Sequence, residues 1–161
     1  YAELCPDAKY TPASEYPAGR NALWSVPCDA AFPCATQNEL NLEDAKTLIS
    51  NGCRCVSEGA NMPATLDAAH AFIEAGVLYG PAKAANAGGV ATSQLEMAQN
   101  ASMQKWTFAT VDNQLKQIMA NIHKAADETA KEFGQPGNLL MGANIAGFRK
   151  VADAMIEQGV C

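Results

Sequence analysis

The sequence predicts an α/β protein, a parallel sheet with helices on its faces followed by long helices. Three observations predict it. Short apolar runs alternate with helical stretches between Cys28 and Tyr79, each of those stretches is stopped by a glycine, and the chain beyond the Gly88-Gly89 pair has helical periodicity. Strands that alternate with helices are joined by right-handed crossovers, which makes their neighbours parallel.

Taken in order, the chain opens at Tyr1 without a methionine, in a stretch that reads as the last turn of a helix, so a piece of something longer is expected. Cys5 to Trp24 is rich in Pro, Tyr, Ala and small polar residues without a sustained period and reads mostly as loop. Cys28 to Ala35 is a short apolar run suited to a buried strand. Asn41 then caps a helix from Leu42 to Asn51, with Asp44 at the capping-box position and Gly52 as its stop. Cys53 to Ser57 is a second strand, and Pro63, a good first-turn residue, opens a helix to Ala75 that Gly76 ends. Val77 to Tyr79 supplies a third strand.

The next helix is expected after Gly88-Gly89 and on to about Lys105. A longer one follows, in which Val111, Leu115, Ile118, Met119, Ile122 and Ala126 recur at three- and four-residue steps until Gly134 to Gly137 breaks the run. The last runs from Leu139 to Gln158. These elements divide the chain into a connecting segment (1–27), a βαβαβ unit (28–85) and a helical part (86–161).

Composition narrows the function. With 161 residues, 48% of them hydrophobic and 17% charged, there is material for one ordinary core. Seventeen acidic against 11 basic side chains give a net charge of -6, and no Lys/Arg run could track a phosphate backbone, so nucleic acid is not an expected partner. No apolar run reaches the roughly 20 residues that span a bilayer. Four of the six cysteines, Cys28, Cys34, Cys53 and Cys55, sit in or beside apolar runs where free thiols act as small hydrophobes, which suits a reducing cytoplasm. Cys53-x-Cys55 falls short of a Cys-x-x-Cys pattern and His70 and His123 have no clustered partners, so no metal site is expected.

In an open parallel sheet, ligands bind at the carboxyl ends of the strands. After the first strand come Thr36, Gln37 and Asn38. After the second comes Asn61, and after the third come Lys83 and Asn86. Uncharged amides carry both donor and acceptor, as a nicotinamide carboxamide or a ribose hydroxyl requires in a partly dry cleft. The competing reading makes each a turn or cap residue placed for local backbone reasons. Ala87-Gly88-Gly89-Val90 opening a helix would let a ligand approach bare backbone at a positive helix end. On such a helix Asn86, Val90, Ser93 and Met97 share a face. Gly-x-Gly-x-x-Gly, Gly-x-Ser-x-Gly, P-loop and His-Glu-x-x-His motifs are absent. Glu39, Glu58 and Glu96 are the carboxylates nearest the loops and read as structural or solvated.

Four blocks, Pro33 to Leu40, Glu58 to Pro63, Lys83 to Ser93 and Gly142 to Phe148, resemble the signature segments of hexameric glutamate dehydrogenases in their order and spacing. The resemblance covers nearly all of Trp24 to Cys161. It implies the C-terminal part of such an enzyme, namely the second half of a Rossmann-type cofactor domain plus C-terminal helices, with the N-terminal substrate domain missing. The parent would be a homo-hexamer interconverting L-glutamate and 2-oxoglutarate plus ammonia, with NADP as cofactor and NAD as the alternative. By motif, Gln37 and Asn38 would lie beside the nicotinamide ribose, with Thr36 also among the cofactor-binding residues, Asn61 and Asn86 near the nicotinamide, and Val90 and Ser93 against the substrate side chain. The catalytic lysine and aspartate would lie outside this chain. Ala82 and Gln94 stand where the family usually has glycine, and Asp7 to Ala22 is longer than the usual connection. Two rival readings are a branched-chain or aromatic amino-acid dehydrogenase, against which Ser93 argues, and a non-catalytic nucleotide-binding or assembly module.

Overall fold

In the computed structural model, residues 5, 7, 10–16 and 20–159 are described. The helical turn expected at Tyr1 to Leu4 lies outside them. Strands β1 (Ala30–Ala31), β2 (Cys55–Ser57) and β3 (Leu78–Gly80) form a parallel sheet in the order β1-β2-β3, so the α/β class holds. Ala31 stands opposite Val56, and Val56 opposite Tyr79.

β1 is far shorter than the run from Cys28 to Ala35 suggested. Pro33 has no N–H to give a ladder, and its carbonyl instead accepts from Gly59 and Ala60 at 3.0 and 3.1 Å. The strand therefore turns into a loop that is stitched to the next one. β2 starts two residues later than expected because the Cys53 N–H closes the end of the preceding helix on Leu48 O.

Helix α1 (Leu42–Ser50) has the expected capping box between Asn41 and Asp44, and Gly52 takes the left-handed φ of 85° that ends it. α2 (Leu66–Glu74) starts three residues after Pro63, capped by the Thr65 hydroxyl. A parallel bridge between Leu40 and Ala64 holds that segment extended, so the proline is a buried loop residue rather than a first-turn one. α3 (Ala82–Ala85) is a single turn leading into α4 (Ala87–Ser102), which takes both glycines into its first turn instead of following them. α4 ends before Lys105, at Met103, whose φ of 54° stops it. α5 (Phe108–Glu132) and α6 (Leu139–Gln158) complete the chain.

The core lies between the sheet and α1 and α2. Leu40, Leu48, Val56 and Phe72 are fully buried, and Phe72 stacks on Tyr79 with ring centroids 5.9 Å apart. Trp24 joins it, its indole N–H donating to Glu39 O at 3.2 Å. α5 and α6 cross closely because Gly142 has no Cβ. Any side-chain atom there would run into the Ala126 carbonyl. Arg149 forks onto Glu132 across the same pair at 2.6 and 2.8 Å.

Candidate functional site at the carboxyl ends of the strands

The three loops that leave the sheet are tied to one another by backbone hydrogen bonds. The Asn38 N–H donates to Met62 O at 2.9 Å and the Leu40 N–H to Pro63 O at 3.0 Å, which, with the Pro33 carbonyl, fastens the first loop to the second. Asn38 and Met62 both sit in the left-handed region, at φ 57° and 51°. Gly59 packs on the Cys34 thiol so closely that a Cβ there would collide with it.

Two glutamates organise these loops. Glu39 accepts the Ala35 and Thr36 N–H groups at 2.8 and 3.3 Å, which fixes the turn that carries Thr36, Gln37 and Asn38. Glu58 is 4% exposed and accepts the Ala64 N–H at 3.0 Å and the Ala82 N–H at 2.6 Å, binding the second loop to the start of α3. Burial first, and the adjoining Glu58 second, push the Tyr79 hydroxyl above the usual tyrosine range. Glu58 is thus structural, as expected, but its organising role depends on contacts 6 and 24 residues away that no local pattern announces.

Asn86 uses its side chain to tie two loops rather than a helix end. It is the shared boundary of α3 and α4, yet its side chain caps neither helix. Instead its Nδ2 donates to Ala60 O across the loops at 3.1 Å, leaving Oδ1 without a partner among the described residues. Its backbone N–H meanwhile closes α3 on Ala82 O at 3.0 Å, so Asn86 keeps a cap position through its backbone while its side chain bridges the loops. Asn41 and Asn138, by contrast, cap with their side chains. Thr36, Gln37, Asn38 and Asn61 are exposed, and their side chains make no hydrogen bond to a described residue.

Val90, 64% exposed, and Ser93 follow along α4 on its open side, while Ala91 faces the protein. The Ser93 hydroxyl turns back on Gly89 O at 3.3 Å. Of the glycine pair, Gly88 lies against Leu115 and Met119 of α5 and serves packing, whereas Gly89 faces open space. Lys83 reaches α6, its Nζ donating to Asn144 Oδ1 at 2.6 Å, so the third and fourth sequence blocks meet through a contact that the sequence reading did not foresee.

Two cavities lie away from the loop edge. One of about 400 Å³ opens between α3, α5 and α6, and one of about 520 Å³ between α2 and α6. Neither is lined by the loop amides, Val90 or Ser93. The loop edge is an open wall with donors and acceptors facing out. Among the described residues no three His, Cys, Asp or Glu side chains group as a metal site, and no helix is long and apolar enough to cross a membrane.

The chain resembles known proteins over nearly its whole length. It is 61% identical to the NADP-specific glutamate dehydrogenase of Helicobacter pylori strain J99 over 160 residues, which is 99% of this chain and 36% of that protein. The NADP-specific glutamate dehydrogenase of Escherichia coli is 58% identical over 137 residues, 85% of this chain and 30% of that one. The crystal structure of Plasmodium falciparum glutamate dehydrogenase superimposes with a TM-score of 0.82 at 55% identity, over 86% of this chain and 30% of that one. The chain thus spans about a third of the length of these relatives. The C-terminal placement expected from the four blocks is not borne out by these comparisons. The sequence profile described as Glutamate/Leucine/Phenylalanine/Valine dehydrogenase matches residues 4–159, and the chain belongs to that family.

Proposed function

We propose that this chain forms the nicotinamide-side wall of an NADP-dependent glutamate dehydrogenase, a hexameric cytoplasmic enzyme that interconverts L-glutamate with 2-oxoglutarate and ammonia. The observation that carries the reading is Asn86, whose side-chain amide is tied to Ala60 rather than to a helix end, beside a row of exposed amides that make no hydrogen bond to a described residue. That donor set fits a nicotinamide ribose and carboxamide, which are uncharged and need both donors and acceptors. Thr36, Gln37 and Asn38 would hold the ribose, and Asn61 and Asn86 the carboxamide. Val90 and Ser93 would face the substrate, with the serine hydroxyl available to a side-chain carboxylate. NADP, when bound, supplies the hydride acceptor. The residues of this chain position and desolvate, and the proton-transferring groups belong to the remainder of the parent. NADP is preferred over NAD because the similar Helicobacter and Escherichia proteins are named for it.

The family also includes enzymes named for leucine, phenylalanine and valine. Ser93 favours glutamate among them, since an apolar substrate side chain gains nothing from an exposed hydroxyl. The test is turnover. The full-length parent should reduce NADP with glutamate, and the purified 161-residue chain should not. Glutamate turnover by the isolated chain would sink the division of labour, and a parent active only on apolar amino acids would sink the substrate.

A further inference from the structure

At the opposite end of the sheet from these loops lie two thiols that the site does not use. Cys28 sits two residues before Ala30 and Cys53 two before Cys55, and Ala30 and Cys55 are partners in the parallel ladder. Both cysteines thus sit just ahead of paired strands, and their side chains are hydrogen-bonded neighbours. Beside them, Asp29 O accepts the N–H groups of Arg54 and Cys55 at 2.9 and 3.2 Å, while the Cys53 N–H turns to Leu48 O. The Cys53 Sγ lies 3.8 Å from the Asp29 carbonyl. Cys53 is 4% exposed and Cys28 packs half-buried against the same core cluster.

We propose that Cys28 and Cys53 form an oxidisable dithiol that closes into a disulfide between β1 and β2, with a low-molecular-weight disulfide as the oxidant. Cys28 is the entry point because it is the more exposed of the two. Its thiolate attacks one sulfur of the small disulfide, forms a mixed disulfide and releases one small thiolate. Cys53, giving its proton to solvent, then attacks the Cys28 sulfur and expels the second. Two protein thiols become one S–S bond and the small disulfide becomes two thiols, so electrons and protons balance. Burial, and then the neighbouring Cys53, raise the Cys28 thiol above its ordinary range, so the first step quickens as pH rises. The other described cysteines behave differently. Cys34 and Cys5 are exposed and stop at the mixed disulfide, and Cys55 is half-buried on β2.

The experiment incubates the 161-residue chain with oxidised glutathione and maps its peptides without reduction. A peptide pair joined through Cys28 and Cys53 is expected, together with glutathione adducts on Cys34. In Cys53→Ala the glutathione adduct on Cys28 should persist instead of resolving, and the formation rate of the wild-type bridge should climb about tenfold for each pH unit while Cys28 remains mostly protonated. A wild-type chain that keeps glutathione on Cys28, or that pairs Cys53 with any other cysteine, or in which neither residue reacts, would overturn the proposal. Circular dichroism of the wild type and Cys53→Ala, taken before oxidant is added, confirms that both are folded when tested.

Discussion

Glu58→Gln tests whether the loop edge hangs on one buried carboxylate. The two Glu58 oxygens accept the Ala64 and Ala82 N–H groups at 3.0 and 2.6 Å in a side chain that is 4% exposed. Glutamine keeps the shape and one acceptor but turns an NH2 toward the other backbone N–H, so one bond is lost and a donor faces a donor. A hydrogen bond to a charged group contributes about 1.5 to 3 kcal/mol. In a chain of this size each kcal/mol moves the melting temperature by about 2 to 4 °C, so Glu58→Gln should lower it by roughly 3 to 12 °C. Glu58→Ala leaves both N–H groups without an acceptor, at about 1 to 3 kcal/mol each, and should cost more. Calorimetry of the 161-residue chain and its two variants is the assay. A Glu58→Gln midpoint within a degree of wild type, or an alanine variant as stable as the glutamine one, would refute the role given to this carboxylate.

In the full-length parent, Asn86→Ala removes the tie to Ala60 and an acceptor, an interaction of about 0.5 to 1.5 kcal/mol. It should lower kcat more than it raises KM for NADP, and steady-state kinetics matching wild type would dismiss Asn86 from the site. Ser93→Ala should cost about ten- to a hundredfold in kcat/KM for glutamate, from about 1.5 to 3 kcal/mol at the carboxylate, and far less for norvaline. Equal losses for both substrates would count against the contact. The Arg149 hydrogen bond first, and its charge after, hold Glu132 below the usual carboxylate range. A lowered carboxylate contributes stability above its unfolded value and loses it as pH falls through the folded one, so the difference between wild type and Glu132→Gln should shrink on acidification. Both side chains are about half exposed, so 1 M salt should shrink it as well, and a difference indifferent to pH and salt would disprove the coupling.

What could be foreseen in the sequence was what local chemistry decides. The Asn41 capping box, the glycine at 52 and the apolar steps of α5 depend on neighbours within a turn or two, and each stands where the sequence put it. The start of α2 depends on the bridge from Leu40 to Ala64, a pairing across 24 residues, so Pro63 misled. β1 contracted because the Pro33 carbonyl found partners at Gly59 and Ala60. The amide side chains of the candidate site were visible as a pattern. The glutamates beneath them were visible only as residues, because burial and partner choice are properties of the folded chain.

The left-handed backbones of Asn38 and Met62 carry a further consequence. Asparagine tolerates that conformation, but a long unbranched side chain such as methionine sits there at a penalty of about 1 to 2 kcal/mol, and Met62 keeps it because its carbonyl receives the Asn38 N–H. A glycine at 62 would relieve that strain while giving the unfolded chain more freedom, an opposing effect of about 0.4 to 1 kcal/mol. The residue is therefore a local trade of stability for a defined loop shape. Natural variation at position 62 should track how tightly the edge must be held, independently of how well the core is packed.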